Sequence, residues 1–190
     1  MRPATATTID YAAYWERAWP WPVYLAKRVR THMPLWQGIY RTAVPPADAV
    51  AAAQTLGNAW RLLVLSEDWC GDAANSLPVL ARFAEAVGWP LRVLARDEVP
   101  ELMDRHLTNG ARSIPIVLLL DEVFRLRGRW GPRPAELQAW VQAQRADGRS
   151  IAELYPRIRA WYARDRGHSV VGEVLAVALQ AAEDTRRNAQ

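Results

Sequence analysis

Apolar residues recur at helical spacing through Tyr11, Tyr14, Trp15 and Ala18, until Pro20 and Pro22 interrupt the run. Residues 9–30 therefore read as a helical arm. The stretch 35–44 fits neither period well, because Ile39, Tyr40 and Val44 suit a helix and a strand equally poorly, and it stays open between the two. Pro45-Pro46 opens a helix over 47–56, with Asp48 in the first turn, where the helix dipole favours negative charge, and Gly57-Asn58 at its end. The pattern then changes to a continuous apolar run, Leu62-Leu63-Val64-Leu65, which predicts a strand buried on both faces of a mainly parallel sheet.

After the loop Ser66-Glu67-Asp68-Trp69 a helix is predicted over 71–87, carrying Leu77, Leu80, Phe83, Ala84 and Val87 on one face and stopping at Gly88. A second strand at 91–95, a short helix at 100–107 and a strongly apolar strand at 116–120 follow. Alternation of apolar and charged residues over 123–129 predicts a half-exposed antiparallel edge strand. Gly131-Pro132-Arg133-Pro134 is turn chemistry, and helices are predicted at 135–146, at 151–163 with a kink at Pro156, and at 170–182. The element order implies an α/β fold, a mixed sheet flanked by helices. Its organisation is an N-terminal helical arm over 1–45, a central domain over 46–146, and a C-terminal helical extension over 147–190 packed on that domain.

With 190 residues, 51% of them hydrophobic, the chain can bury one sizeable core. Its net charge of +4 comes from 24 basic residues interspersed with 20 acidic ones, and Lys27 is the only lysine. Neither a basic helix nor an aromatic-basic RNA motif is present, so nucleic acid is not an expected partner. The opening 18 residues lack the charged start and apolar run of a secretory signal, and no apolar stretch is long enough for a membrane span, so the cytoplasm is the expected location. One cysteine excludes an internal disulfide and a cysteine-based zinc site. His32, His106 and His168 fall on separate elements, so neither a metal nor a cofactor is expected.

Cys70 stands at the junction of a buried strand and a helix, where free backbone N–H groups and the positive dipole end favour thiolate over thiol. Trp69-Cys70-Gly71 after the strand, Pro78 eight residues beyond the cysteine, and Ser113-Ile114-Pro115 at the head of a later strand coincide with the expected element order. In these three features the chain resembles the thioredoxin superfamily, and more narrowly bacterial thioredoxin-like proteins with a Glu-Asp-Trp-Cys-Gly-Asp loop. The resemblance implies a thioredoxin-like fold, an accessible active-site thiol at Cys70, a helix-kinking Pro78, and a cis-proline at Pro115. An extended substrate would pair with the Ile114 backbone beside the sulfur, within a surface formed by Trp69, Gly71 and Asp72. Arg112 is a further candidate, either for a substrate carboxylate or as a solvated loop arginine.

The departures bear on activity. The resolving cysteine of dithiol relatives is replaced by Ala73, the buried acid by Val64, and the loop proline by Asp72. The implied chemistry is monothiol exchange through Cys70 with a protein or small-molecule thiol or disulfide. The alternative is a redox-inactive module of the same fold that binds a protein partner. Glu67, Asp68 and Asp72 oppose thiolate formation, so only a modest lowering of the thiol pKa is expected. Arg125, Arg127, Arg129 and Arg133 read most simply as the wet face of an edge strand, with attraction of an acidic partner as the alternative. Trp15, Trp19, Trp21, Trp36 and Trp161 read as packing between the additions and the domain, with an exposed partner-binding surface as the alternative.

Overall fold

The computed structural model describes residues 8–57 and 59–188. Asn58, the expected helix end, and the outermost terminal residues lie outside the described residues. The arm is not one interrupted helix. It comprises α1 (Tyr11–Arg17), capped by the Asp10 carboxylate, which accepts from the Ala13 N–H at 3.0 Å, then β1 (Trp19–Pro20), then α2 (Trp21–Lys27). Because Pro20 lacks an N–H, it suits the outer edge of a sheet, and β1 lies there. The ambiguous stretch is α3 (Met33–Thr42): Trp36 is fully buried while Leu35, Ile39 and Tyr40 pack partly against the core.

The remaining elements are α4 (Ala47–Gln54), β2 (Arg61–Ser66), α5 (Gly71–Val87), β3 (Leu91–Ala95), α6 (Pro100–Met103), β4 (Ile116–Leu120), β5 (Leu126–Trp130), α7 (Ala135–Ala146), α8 (Ile151–Asp165) and α9 (His168–Asn188). One departure has a local cause. The expected edge strand starts later than 123 because the Asp121 carboxylate accepts from the Val123 and Arg125 N–H groups, closing a turn with Phe124 at positive φ. Helix α8 starts at a Ser150–Glu153 capping box and continues through Pro156, since one missing N–H costs a single bond and Leu154, Ile158 and Tyr162 bury its inner face.

The sheet order is β1-β3-β2-β4-β5. β3 and β2 are parallel, whereas β1 on β3, β4 on β2, and β5 on β4 are antiparallel. The sheet thus begins inside the stretch read as an arm. Every residue of β4 and all but the first of β2 are buried, as strands covered on both faces must be. The buried apolar side chains form one core running from Trp15 of the arm to Ala181 of α9. Arm and extension are therefore packed on the sheet rather than appended at a distance. Trp21, Tyr24 and Trp36 pack on one another with ring centroids 6.0–6.3 Å apart, Tyr24 meeting Trp36 edge-on and Trp21 tilted against both.

Gly131 ties the turn after β5 to the Pro115 segment. It has φ of +112°, and an added Cβ would lie 2.2 Å from the Pro115 carbonyl oxygen, so both backbone conformation and space demand glycine. Gly131→Ala is expected to cost roughly 1–3 kcal/mol of stability through strain and the displaced 115 segment. Denaturant unfolding checks this; a midpoint equal to the parent's would contradict it.

Candidate functional site

Strand β2 ends at Ser66, and the loop that follows is braced from two directions. The Glu67 carboxylate accepts from the Asp97 N–H at 2.9 Å, and Asp68 accepts from the Arg30 and Thr31 N–H groups at 2.7 and 2.8 Å. The Trp36 indole donates to the Asp68 carbonyl at 3.1 Å. The loop delivers Cys70 to the N-cap position of α5, with its carbonyl accepting from the Ala74 N–H at 2.9 Å. Across from it the Ile114–Pro115 peptide bond is cis, and the Cys70 thiol donates to the Ile114 carbonyl at 3.5 Å.

The expected accessibility of the thiol does not hold. Cys70 is only 7% exposed, and its pKa is pushed up from 9.0 to about 11 rather than modestly lowered. Burial is the main cause and the Asp72 charge the second, while the N–H groups of Ala73 and Asp72 and the Arg133 charge act the other way. Of the three nearby carboxylates Asp72 is the one that raises the thiol, since Glu67 and Asp68 are turned into the loop contacts just described. Helix dipole alone does not offset desolvation here.

Asp72, the second residue of α5, points inward and is buried. Arg133 grips it in a two-pronged ion pair, Nε to Oδ1 at 2.9 Å and Nη2 to Oδ2 at 2.6 Å, and the Tyr162 hydroxyl donates to Oδ1 at 3.1 Å. The third Arg133 nitrogen donates to the Gln138 side chain at 3.1 Å. Burial holds the Asp72 carboxyl above its ordinary value against the opposing pull of Arg133 and Tyr162. Burial would lower Arg133, but the charge and hydrogen bonds of Asp72 outweigh it and hold the guanidinium above its ordinary value. This network joins helix α5, the turn after β5 and helix α8. Arg133 therefore does not belong to the wet arginine face; it leaves that face at the turn and goes inward.

Trp69 is 48% exposed, with the Arg96 guanidinium 5.1 Å from its ring centroid. Gly71 lies under α8, where an added Cβ would sit 3.7 Å from the Tyr155 ring. Cys70, Gly71, Asp72, Ile114 and Pro115 thus converge, and Trp69 borders them. Arg112 does not join them: its exposed side chain is paired two-pronged with Asp104 at 2.6 and 2.7 Å. His106 is buried with its Nε2 3.2 Å from the Tyr11 hydroxyl, and burial, aided by the Arg129 charge, lowers its pKa to about 4. No group of three His, Cys, Asp or Glu side chains among the described residues could hold a metal ion.

Residues 20–147 match the thioredoxin family. The chain belongs to that family. The match starts in the arm, at the residue that ends β1, and stops one residue beyond α7. Among solved structures, a protein of unknown function from Pseudomonas aeruginosa is 22% identical, with a TM-score of 0.71 over 92% of this chain and 99% of that one. An HIV epitope-scaffold is 21% identical, with a TM-score of 0.68 over 89% of this chain and 97% of that one. At these identities the likeness is one of fold, and it extends past the family match into the C-terminal helices. No curated protein matches the chain. No helix among the described residues is long and apolar enough to cross a membrane.

Sequence reasoning missed Arg133 and Tyr162 as the two partners of Asp72. A carboxylate in the first turn of a helix has an adequate local explanation in the dipole, so nothing in the sequence asked for a buried partner. The pairs span 61 and 90 positions. No spacing rule reaches that far.

Proposed function

We propose that this thioredoxin-family chain is a redox-silent binding module for a protein partner. The observation that carries the reading is the state of its single thiol. Cys70 is buried, hydrogen-bonded to the carbonyl beside Pro115 that an incoming strand would need, and stands two residues before Asp72, which Tyr162 of α8 hydrogen-bonds. Its burial and the Asp72 charge favour the protonated form, and only the thiolate attacks disulfides. Ala73 offers no second thiol to release a mixed disulfide. A lone packed thiol with no disulfide partner suits a reducing compartment, which supports a cytoplasmic setting.

Monothiol exchange is the second reading, favoured by the Asp72 and Ala73 N–H groups directed at the sulfur. Incubation of the folded protein with oxidised glutathione at pH 7.5, followed by intact-mass spectrometry, separates the two. Unmodified protein is the expected result. Stoichiometric glutathione adduct at Cys70, absent from Cys70→Ser, overturns the redox-silent reading.

A further inference from the structure

Helices α3 and α8 both lie beside α5 and leave a groove between them. One part, about 340 Å³, is bordered by His32, Trp69, Tyr155 and Arg159. The other, about 560 Å³, runs on past Ile39 and Val44 to Arg166 and His168. Leu35 and Asn75 line both parts, so the two adjoin. Volumes of this order are those of ligand-binding clefts.

Two independent features mark the groove as a recognition surface. Val44, Trp69 and Tyr155 are 82%, 48% and 44% exposed, and they account for three of the six large hydrophobic side chains left open among the described residues. Concentration of such side chains in one cleft is what a docking site shows and a plain solvent face does not. The second feature is charge. Arg159 and Arg166 stand on its rim with His32 and His168, no aspartate or glutamate lines either part, and neither arginine has a carboxylate partner among the described residues. An apolar floor under an unpaired cationic rim is complementary to an apolar segment with acidic flanks.

We infer that the groove between α3 and α8 docks a segment of a partner protein that carries large apolar or aromatic residues flanked by aspartate or glutamate. This rests on the binding-module reading and specifies its partner. The apolar side chains enter past Trp69, Tyr155 and Val44, and the acidic ones meet Arg159 and Arg166. Cys70 is not among the groove residues, so docking needs no thiol chemistry.

The test is selection of a displayed library of random twelve-residue peptides on the folded protein, with the enriched peptides then measured by calorimetry. Enrichment of acidic peptides bearing two or more large apolar residues is expected, as is at least about a tenfold loss of affinity in Arg159→Glu/Arg166→Glu. Both arginines are exposed, so the double variant should keep its circular dichroism and melting temperature. Arg145→Glu, on the exposed side of α7, should bind like the parent. No enrichment, enrichment of basic peptides, or affinity indifferent to the double reversal overturns the proposal. So does decanoate saturating the groove where no peptide is selected, which would make an acyl anion the occupant. Running Cys70→Ser in parallel keeps the two readings apart: a glutathione adduct on the parent refutes redox silence, while undiminished peptide binding by Cys70→Ser leaves the docking groove standing.

Discussion

Iodoacetamide should modify Cys70 of the folded protein at pH 8 roughly two orders of magnitude more slowly than an unfolded cysteine, because reactivity follows the thiolate fraction. The thiol pKa stands near 11 in the fold against an ordinary 9.0. Denaturant should restore rapid labelling. The same shift enters stability, and its sign follows from the proton. Folded Cys70 keeps its proton to higher pH than the unfolded chain does, so its stabilising contribution is whole below pH 9.0, falls as pH rises from 9.0 toward about 11, and is gone above that. The slope from this group is at most about 1.4 kcal/mol per pH unit and should vanish in Cys70→Ala. Asp72→Asn removes the like charge and leaves Arg133 near the sulfur, so labelling should quicken at a denaturant concentration where both proteins remain folded. Prompt labelling of the native parent at neutral pH would mean that burial does not hold the thiol protonated.

Arg133→Met should cost about 3–5 kcal/mol of stability, among the largest single-residue effects expected here, because it leaves the buried Asp72 carboxylate without its cation. Asp72 and Arg133 are only 5% and 16% exposed at the side chain, so water does little to replace the lost partner. Tyr162→Phe removes one hydrogen bond from the same carboxylate and should cost less, about 1–2 kcal/mol. The pH dependence identifies the cause. In Arg133→Met the folded Asp72 carboxyl holds its proton above the unfolded value of 3.8, so the penalty is smallest below that pH and grows as pH rises. A double variant, Asp72→Leu/Arg133→Met, should recover much of the loss, since two apolar groups leave no buried charge. Urea unfolding at pH 3.5 and 7 reads all of this. A penalty independent of pH, with no recovery in the double variant, would mean that Arg133 matters only for its packing.

The α/β order, the buried strand pair and the helix opening at Cys70 were legible because each rests on short-range pattern, apolar runs and turn residues, whereas the placing of Pro115 beside Cys70 came only with the resemblance to the thioredoxin superfamily. Helix α3 was not, since its helical state is decided by Trp36 and its neighbours packing into the core. Nor was the strand at Trp19-Pro20, where two residues carry no period and only the neighbouring β3 makes them a strand. Around Cys70 the sequence displays the local influences, helix dipole against carboxylates, yet burial acts on the thiol more strongly than either, and burial depends on what the rest of the chain lays over the helix end. Sequence alone determined that one thiol sits at the start of a helix with no partner to resolve a disulfide. Tertiary structure decided that burial keeps the thiol protonated, and that Asp72 faces Arg133 and Tyr162 instead of solvent, because desolvation and long-range ion pairing exist only once distant segments have excluded the water between them.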